Sequence, residues 1–359
     1  MVSDTWYKHR GLIMTELDIS KLIKNLDEEG MTGYTRNFIN DIEKAINIPM
    51  DIEVDTNWSG VLCLGMGGSG AGGDFLASLT NYEGGLPFVV WKDYGLPSWW
   101  GPDWLIIATS YSGNTEETLE GVSQALESGG TVIGITSGGQ LEEILANHDD
   151  SLCLYVPEGQ MPRSAFGHIF GTQLSICWSL GLLPKPDELE LKNMLGRLRS
   201  SSKNTDLIGG NGLAIKMAKS MVGKQIGIIS PTLLGSAGSR FANQLNENSD
   251  RFARNVNLPE MNHNEIVAWS KAKNNLNSVI YLSWGGMSQR VKSRLNWTMD
   301  ELDIKSSWFI DCEGETLLES LLYAAHITDW ISVALALIEG TNPSAMPSII
   351  ALKEYLSTI

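Results

Sequence analysis

The sequence predicts an α/β protein with two domains, each a mainly parallel, doubly wound β-sheet covered by helices. The chain has 359 residues, which is enough for two domains of ordinary size. Short apolar runs alternate with helical stretches along most of its length, as expected for parallel βα units. A polar segment over 197–211 separates two such series. We therefore expect one domain over residues 1–200 and a second over 201–359.

The N-terminal half is predicted to hold the larger sheet. An amphipathic helix is expected in the stretch that begins at Met14, and residues 1–13 are expected to be a loose extension. The strands are apolar almost throughout, which indicates burial on both faces. They are predicted over Val61–Leu64, Phe88–Trp91, Trp104–Thr109, Thr131–Thr136 and Leu152–Val156. A long apolar helix is predicted next, over Ser164–Leu182.

The C-terminal half repeats this order of elements. Strands are predicted over Gln225–Ser230, Ser278–Leu282 and Trp308–Asp311, and helices over Ala237–Glu247 and Glu315–Glu339. The last helix is the most apolar part of the chain, but Glu319, His326 and Asp329 interrupt it. It is therefore predicted to be a buried core helix and not a membrane span.

The charge of the chain excludes some classes of ligand. Forty-two acidic and 26 basic residues give a net charge of −16, so a nucleic-acid backbone would be repelled and no nucleic-acid partner is expected. A small anion would have to be held by local backbone dipoles and a few placed cations. The four cysteines show no C-x-x-C spacing, which indicates a reduced, cytoplasmic protein without a zinc site.

The first predicted strand is followed by a glycine-rich turn that reads GMGGSG. Its glycines would let a ligand approach the backbone closely, and Gly68 and Ser69 could contact a phosphate. The spacing of Gly65, Gly67 and Gly70 also matches a dinucleotide-binding turn. A turn that only packs a helix on a strand is the structural alternative.

The third strand is followed by SYSGNTEET, which places three hydroxyl groups before a predicted helix. Ser110, Ser112 and Thr115 could bind a phosphate together with the free N–H groups of the helix. Asn114 and Glu117 have the spacing of a capping box. The alternative is that all of these are ordinary turn and cap residues.

Four further residues have the chemistry of catalytic groups. Arg163, after the fifth strand, could hold an oxyanion, although pairing with Glu158 is the alternative. Glu247 is expected near the end of its helix, where the helix dipole would raise its pKa. His263 lies in a run too polar for a core and could exchange protons near neutral pH. Lys353 is expected to be held inward by Ile349 and Leu352, although a solvent-exposed lysine is equally ordinary.

These motifs, in this order, resemble those of the sugar isomerase (SIS) family, and more closely the bifunctional phosphoglucose/phosphomannose isomerases. The resemblance rests on GMGGSG, SYSGNTEET, PRSA, NENS with PEMNHNE, and a closing P-x-x-x-x-L-K, and it covers residue 60 to the end of the chain. One position departs from it, because bifunctional members carry a threonine where this chain has Met346.

The resemblance implies two SIS-type domains, a homodimer, and the reversible isomerisation of glucose and mannose 6-phosphates to fructose 6-phosphate without metal or other cofactor. Gly68, Ser69, Ser110, Ser112 and Thr115 would bind the phosphate. Glu247 would be the base and Arg163 would stabilise the enediolate. His263, reaching in from the partner subunit, and Lys353 would assist ring opening. A non-catalytic sugar-phosphate regulator, an isomerase of another sugar phosphate and a dinucleotide-dependent oxidoreductase remain open alternatives.

Overall fold

The computed structural model describes residues 18–50, 52, 57–149, 151–272 and 275–358. The expectation for residues 1–13 and the first residues of the Met14 stretch lie outside this range. The remainder of that stretch forms α1, Ile19–Leu26, whose apolar residues pack against the core as predicted.

The N-terminal sheet has five parallel strands in the order β2-β1-β3-β4-β5. Their bounds are β1 Gly60–Leu64, β2 Phe88–Trp91, β3 Trp104–Thr109, β4 Val132–Thr136 and β5 Ser151–Tyr155. The prediction of five parallel strands is confirmed, and their ends differ from it by no more than one residue. The strand order reverses at β1, so the loops after β1 and β3 border the crevice in which ligands of such sheets bind.

The helices of the N-terminal half cover this sheet. After α1 they are α2 Met31–Ile46, α3 Gly67–Glu83, α4 Glu116–Glu127, α5 Gln140–Leu145 and α6 Phe166–Ser179. The predicted long helix over Ser164–Leu182 is thus shorter at both ends. Almost all of α6 is buried, because it lies between α3 and α2.

The C-terminal sheet has four parallel strands in the order β7-β6-β8-β9. They are β6 Gln225–Pro231, β7 Ala253–Leu258, β8 Asn277–Ser283 and β9 Ser307–Asp311. Sequence patterns alone missed β7, because Arg254, Asn255 and Asn257 break its apolar pattern. The strand lies at the edge of the sheet, where only part of it is buried, so polar residues are tolerated there.

Seven helices complete the described residues of the C-terminal half. They are α7 Glu188–Thr205, α8 Leu213–Met221, α9 Gly235–Ser249, α10 Ile266–Trp269, α11 Gln289–Glu301, α12 Leu317–Glu339 and α13 Pro347–Leu356. The predicted helix over Ala237–Glu247 is therefore extended by two residues at each end. Helix α12 is long and apolar enough to cross a membrane, yet 89% of its most apolar window is buried, which confirms a core helix.

The expected polar break over 197–211 is wrong for its first half, which belongs to α7. Asp187 begins this helix with a capping box that involves Glu190, and Met194, Leu195 and Leu198 bury one face. Burial of this face outweighs the weak helix propensity of the serines that follow. The predicted boundary at residue 200 lies inside α7, so the division into residues 1–200 and 201–359 stays a prediction.

Candidate active site

The turn between β1 and α3 brings the glycine-rich loop against the segment that carries Arg163. A Cβ atom on Gly68 would lie 2.7 Å from the backbone nitrogen of Arg163 and 2.9 Å from its Cα. Gly68 must therefore lack a side chain for the two segments to touch. The next residue, Ser69, is buried, and its Oγ accepts a hydrogen bond of 3.2 Å from the backbone N–H of Tyr111. The glycine loop thus contacts the hydroxyl loop as well.

The hydroxyl loop leads from β3 into α4. The Ser110 hydroxyl is fully buried and donates to Thr115 Oγ1 at 2.9 Å, so it closes the loop from inside. Ser112 is exposed, and Thr115 is the N-cap residue of α4. No side chain of the described residues caps this helix, so its first N–H groups face the loop without a side-chain acceptor.

The capping box expected from Asn114 and Glu117 is wrong. Asn114 Oδ1 instead accepts from the backbone N–H of Gln140, at 3.2 Å, and thereby joins the loop to α5. Glu116 accepts a hydrogen bond from the Tyr94 hydroxyl, so its carboxylate is turned away from the loop. Glu116 and Glu117 both lie in the first turn of α4, so their charges oppose part of the positive potential at this end of the helix.

Arg163 lies between the two domains and is only 2% exposed. Its Nε donates to Asn248 Oδ1 at 2.6 Å, and its Nη2 donates to the carbonyl of Pro343 at 2.8 Å. Its Nη1 lies 2.7 Å from Met346 Sδ. The alternative of a surface pair with Glu158 is wrong, because every one of these partners comes from the C-terminal half. Burial lowers the pKa of Arg163, and Glu247 and Glu29 oppose this effect.

Glu247 lies opposite Arg163, in the last turn of α9. Its Oε2 is 3.4 Å from Arg163 Nη1, and its side chain remains 23% exposed. Its pKa is raised above the ordinary value of 4.5 because burial outweighs the opposing charges of Arg163 and Arg240. The sequence correctly predicted a raised pKa for Glu247, but burial is the main cause and not the helix dipole that was expected. A carboxylate therefore meets the guanidinium of an arginine whose backbone packs against the glycine loop.

A buried group that the sequence patterns did not single out supports this pair. Arg240 forms a bidentate ion pair with Asp329 of α12, and its Nη2 also donates to the carbonyl of Arg163 at 3.0 Å. Gln244 donates to the same aspartate at 2.8 Å. The sequence could have indicated this buried polar group, because Arg240, Gln244 and Asn248 recur every four residues and so share one face of a helix.

His263 and Lys353 do not join the other residues within one chain. His263 ends a short 3₁₀ turn after β7 and is exposed, and no hydrogen bond is found for its side chain within the described segments. Lys353 is exposed on α13. The expectation that Ile349 and Leu352 hold it inward is wrong, because these residues are 41% and 56% exposed. Nothing within the described chain packs closely enough on α13 to cover them.

Two charged residues after β2 and two histidines have partners within the fold. Lys92, which follows β2, forms an ion pair of 2.6 Å with Asp74 of α3, and its Cε lies 3.5 Å from where a Cβ on Gly70 would be. Asp93 accepts a hydrogen bond from the next backbone N–H. His168 and His326 are buried and paired with Asp41 and the Thr35 carbonyl, as befits core histidines.

Family models match both halves of the chain. A model of the SIS domain matches residues 56–183, and a model of the bacterial phospho-glucose isomerase C-terminal SIS domain matches residues 211–356. The bifunctional phosphoglucose/phosphomannose isomerase of Aquifex aeolicus is 33% identical over 316 residues, 85% of this chain and 93% of that protein. The protein of the same name from Caldicellulosiruptor bescii is 31% identical over 333 residues, 89% and 96% of the two chains.

A solved structure shares the fold. The crystal structure of a hypothetical protein from Thermus thermophilus superimposes with a TM-score of 0.73, at 15% identity, over 95% of this chain and 93% of that one. With two SIS domains in order and a relative matched over nearly its whole length, the chain belongs to the family of bifunctional phosphoglucose/phosphomannose isomerases.

Proposed function

We propose that this protein interconverts glucose 6-phosphate and mannose 6-phosphate with fructose 6-phosphate through a cis-enediol, without metal or other cofactor. The observation that carries the proposal is the approach of Glu247 Oε2 to Arg163 Nη1, at 3.4 Å, on a residue whose backbone packs against Gly68. This contact supports a site in which a base and a cation act on a sugar whose phosphate is held by the glycine-rich loop. The names of the two relatives above describe the same pair of substrates.

The phosphate would be held by the loops after β1 and β3. Gly68 allows close approach to the backbone, and Ser69, Ser112 and Thr115 offer hydroxyl groups, while Ser110 supports the loop from inside through Thr115. The first turn of α4 adds N–H donors, since the Thr115 side chain makes no capping hydrogen bond. These local donors are needed because the net charge of −16 repels a sugar phosphate at long range.

Glu247 would transfer the proton between C2 and C1 of the opened sugar. The carboxylate removes the C2 proton, the enediol forms, and the same carboxyl group returns the proton to C1. The raised pKa of Glu247 makes its carboxylate a stronger base than an exposed glutamate. Arg163 faces the oxygen atoms on which negative charge develops, in a buried place where that attraction is poorly screened.

Ring opening needs a further acid and base, which we assign to His263 and Lys353. Both are exposed in the single chain, and we propose that a homodimer brings His263 of one subunit to the site of the other. The four free cysteines are consistent with a cytoplasmic enzyme, since no disulfide would be needed for this assembly.

The test is to measure steady-state rates on glucose and mannose 6-phosphates and the entry of solvent deuterium at C2. We expect turnover of both sugars, with unchanged rates after chelation of metal ions. Glu247→Gln should bind the sugar phosphate but lose more than about tenfold in kcat, since the base is removed. Glu301→Gln, an exposed carboxylate on α11, is the matched control and should keep the wild-type rate.

Other results of these experiments would each indicate a different function. Binding of the sugar phosphate without deuterium exchange would indicate a regulator. Turnover of an amino sugar or a pentose phosphate alone would indicate another isomerase. A thermal shift with NAD or NADP would favour an oxidoreductase. Glu247→Gln with turnover within about tenfold of wild type would remove the assignment of the base.

A further inference from the structure

The face of α9 that carries Glu247 also carries a row of polar residues at helical spacing. Arg240, Gln244 and Asn248 follow one another at four-residue intervals, and all three are at most 5% exposed. A buried polar row of this kind stabilises a fold only when each group is paired. A protein in which apolar residues replace such a row is often equally stable, so stability alone does not explain why the row is present.

The partners of the row come from two other segments. Asp329 of α12 accepts from both Arg240 and Gln244, the latter at 2.8 Å. Asn248 donates to Ser332 Oγ of α12 at 2.9 Å and accepts from Arg163 Nε at 2.6 Å. Helices α9 and α12 are thereby fixed in register around the guanidinium of Arg163.

Arg240 provides the link to the N-terminal domain. Its Nη2 donates to the backbone carbonyl of Arg163 at 3.0 Å, and its Cζ lies 4.3 Å from the centre of the Phe166 ring at the start of α6. The same guanidinium therefore holds the backbone of Arg163 and the helix of Glu247. A lysine has one charged nitrogen and cannot reproduce this fork.

We propose that Arg240 is a positioning residue of the isomerase, which, with Asp329, sets the distance and angle between Arg163 and Glu247. It does not touch the substrate; it acts by holding Arg163 through its carbonyl and Glu247 through the shared helix. This inference rests on the proposed function. Misplacement of reacting groups by about 1 Å can cost about a hundredfold in rate, so a pair that fixes them has a large effect on kcat.

The test separates positioning from stability by removing both charges together. Arg240→Met alone leaves Asp329 buried without its cation, so stability and kcat should both fall. In the double variant Arg240→Met with Asp329→Leu, the unpaired charge is gone and the melting temperature should largely recover. We expect its kcat to stay lower than wild type by about tenfold or more, with KM within about threefold, because nothing holds the Arg163 carbonyl.

The chain supplies a matched control. Arg251, just after α9, pairs with Glu339 at the end of α12, and this second pair links the same helices without contacting Arg163. Arg251→Met with Glu339→Leu should leave kcat within about twofold of wild type. If neither Arg240 variant folds, Arg240→Lys is measured instead, and the same loss of kcat with a near-normal KM is expected.

The proposal is overturned if the double variant turns over within about twofold of wild type, or if the control pair loses kcat equally. Either result, obtained with a wild-type protein that is an active isomerase, would mean that Arg240 and Asp329 only stabilise the fold. An inactive wild-type protein would instead overturn the proposed function, and this inference with it.

Discussion

At the scale of single residues, Glu247 shows how position and not residue type sets the properties of a carboxyl group. Most of its side chain is buried in the last turn of α9, and burial raises its pKa despite a guanidinium 3.4 Å away. Exposed carboxylates such as Glu301 have the same chemistry without this environment. The partial burial that makes Glu247 a better base also makes its ionised form costly to the folded state.

This cost predicts how stability depends on pH. The folded protein binds the Glu247 proton more tightly than the unfolded chain, so the free energy of unfolding falls as the pH rises from the ordinary value of 4.5 through the folded pKa. Below the ordinary value of 4.5 both states are protonated and the cost disappears. Relative to wild type, Glu247→Gln should therefore gain stability as pH rises from about 4 to about 7.

Chemical denaturation of both proteins across this range measures the effect. Glu301→Gln, the same change at an exposed carboxylate, is the control. A difference between Glu247→Gln and wild type that stays flat, or that falls with rising pH, would mean that the Glu247 pKa is not raised.

At the scale of elements, the site depends on how closely α3 approaches the segment before α6. Helix α3 begins at the glycine-rich turn, where Gly68 lies against the Pro162–Arg163 peptide. In the same turn, Ser69 Oγ accepts a hydrogen bond from the backbone N–H of Tyr111 in the hydroxyl loop before α4. Three strand-to-helix connections are thus packed on one another, and a change in one displaces the others.

Gly68→Ala should disturb this packing. Its Cβ would lie 2.7 Å from the Arg163 nitrogen and 2.9 Å from the Pro162 carbonyl carbon, and both are backbone atoms that cannot move alone. We expect a loss of about 1–3 kcal/mol in stability and of about tenfold or more in kcat.

The matched control is Gly196→Ala in α7, where no atom lies within 4 Å of the new methyl group. In an exposed helix this change should raise stability by about 0.5–1 kcal/mol and leave kcat unaltered. Thermal unfolding and steady-state rates measure both variants. Equal stability of the two alanine variants would show that Gly68 does not need to be a glycine.

At the scale of the whole molecule, the single chain leaves apolar surface near both residues assigned to ring opening. Val267, four residues after His263, is 65% exposed. Helix α13, which bears Lys353, exposes Leu352 and Tyr355. Exposed apolar groups of this size favour burial against another chain, in keeping with the proposed homodimer.

Subunit mixing tests the proposal that His263 acts across the dimer. Glu247→Gln and His263→Ala chains should each be inactive alone, because each lacks one required group. After the two are unfolded and refolded together, mixed dimers hold one complete site, so about a quarter of wild-type activity should return. Two batches of Glu247→Gln refolded together are the control. Absence of any recovery in mixed dimers would place His263 in the site of its own subunit.

The sequence by itself determined the class of the fold and eight of the nine strands in the described residues, and it singled out the segments of the proposed site. Local apolar runs specify buried parallel strands, and glycine and hydroxyl motifs reveal loops made to approach an anion. The edge strand β7 was missed because polar residues break its apolar pattern, and the second half of α7 because its serines resemble a linker.

Only the tertiary structure decided which partners the charged groups have. Arg163 pairs with Glu247 and Asn248 and not with Glu158, and Arg240 with Asp329, 89 positions later in the chain. Pairing between distant segments depends on how the two domains pack, and no local pattern records it. The burial that raises the pKa of Glu247 likewise depends on packing between segments that are distant in the sequence.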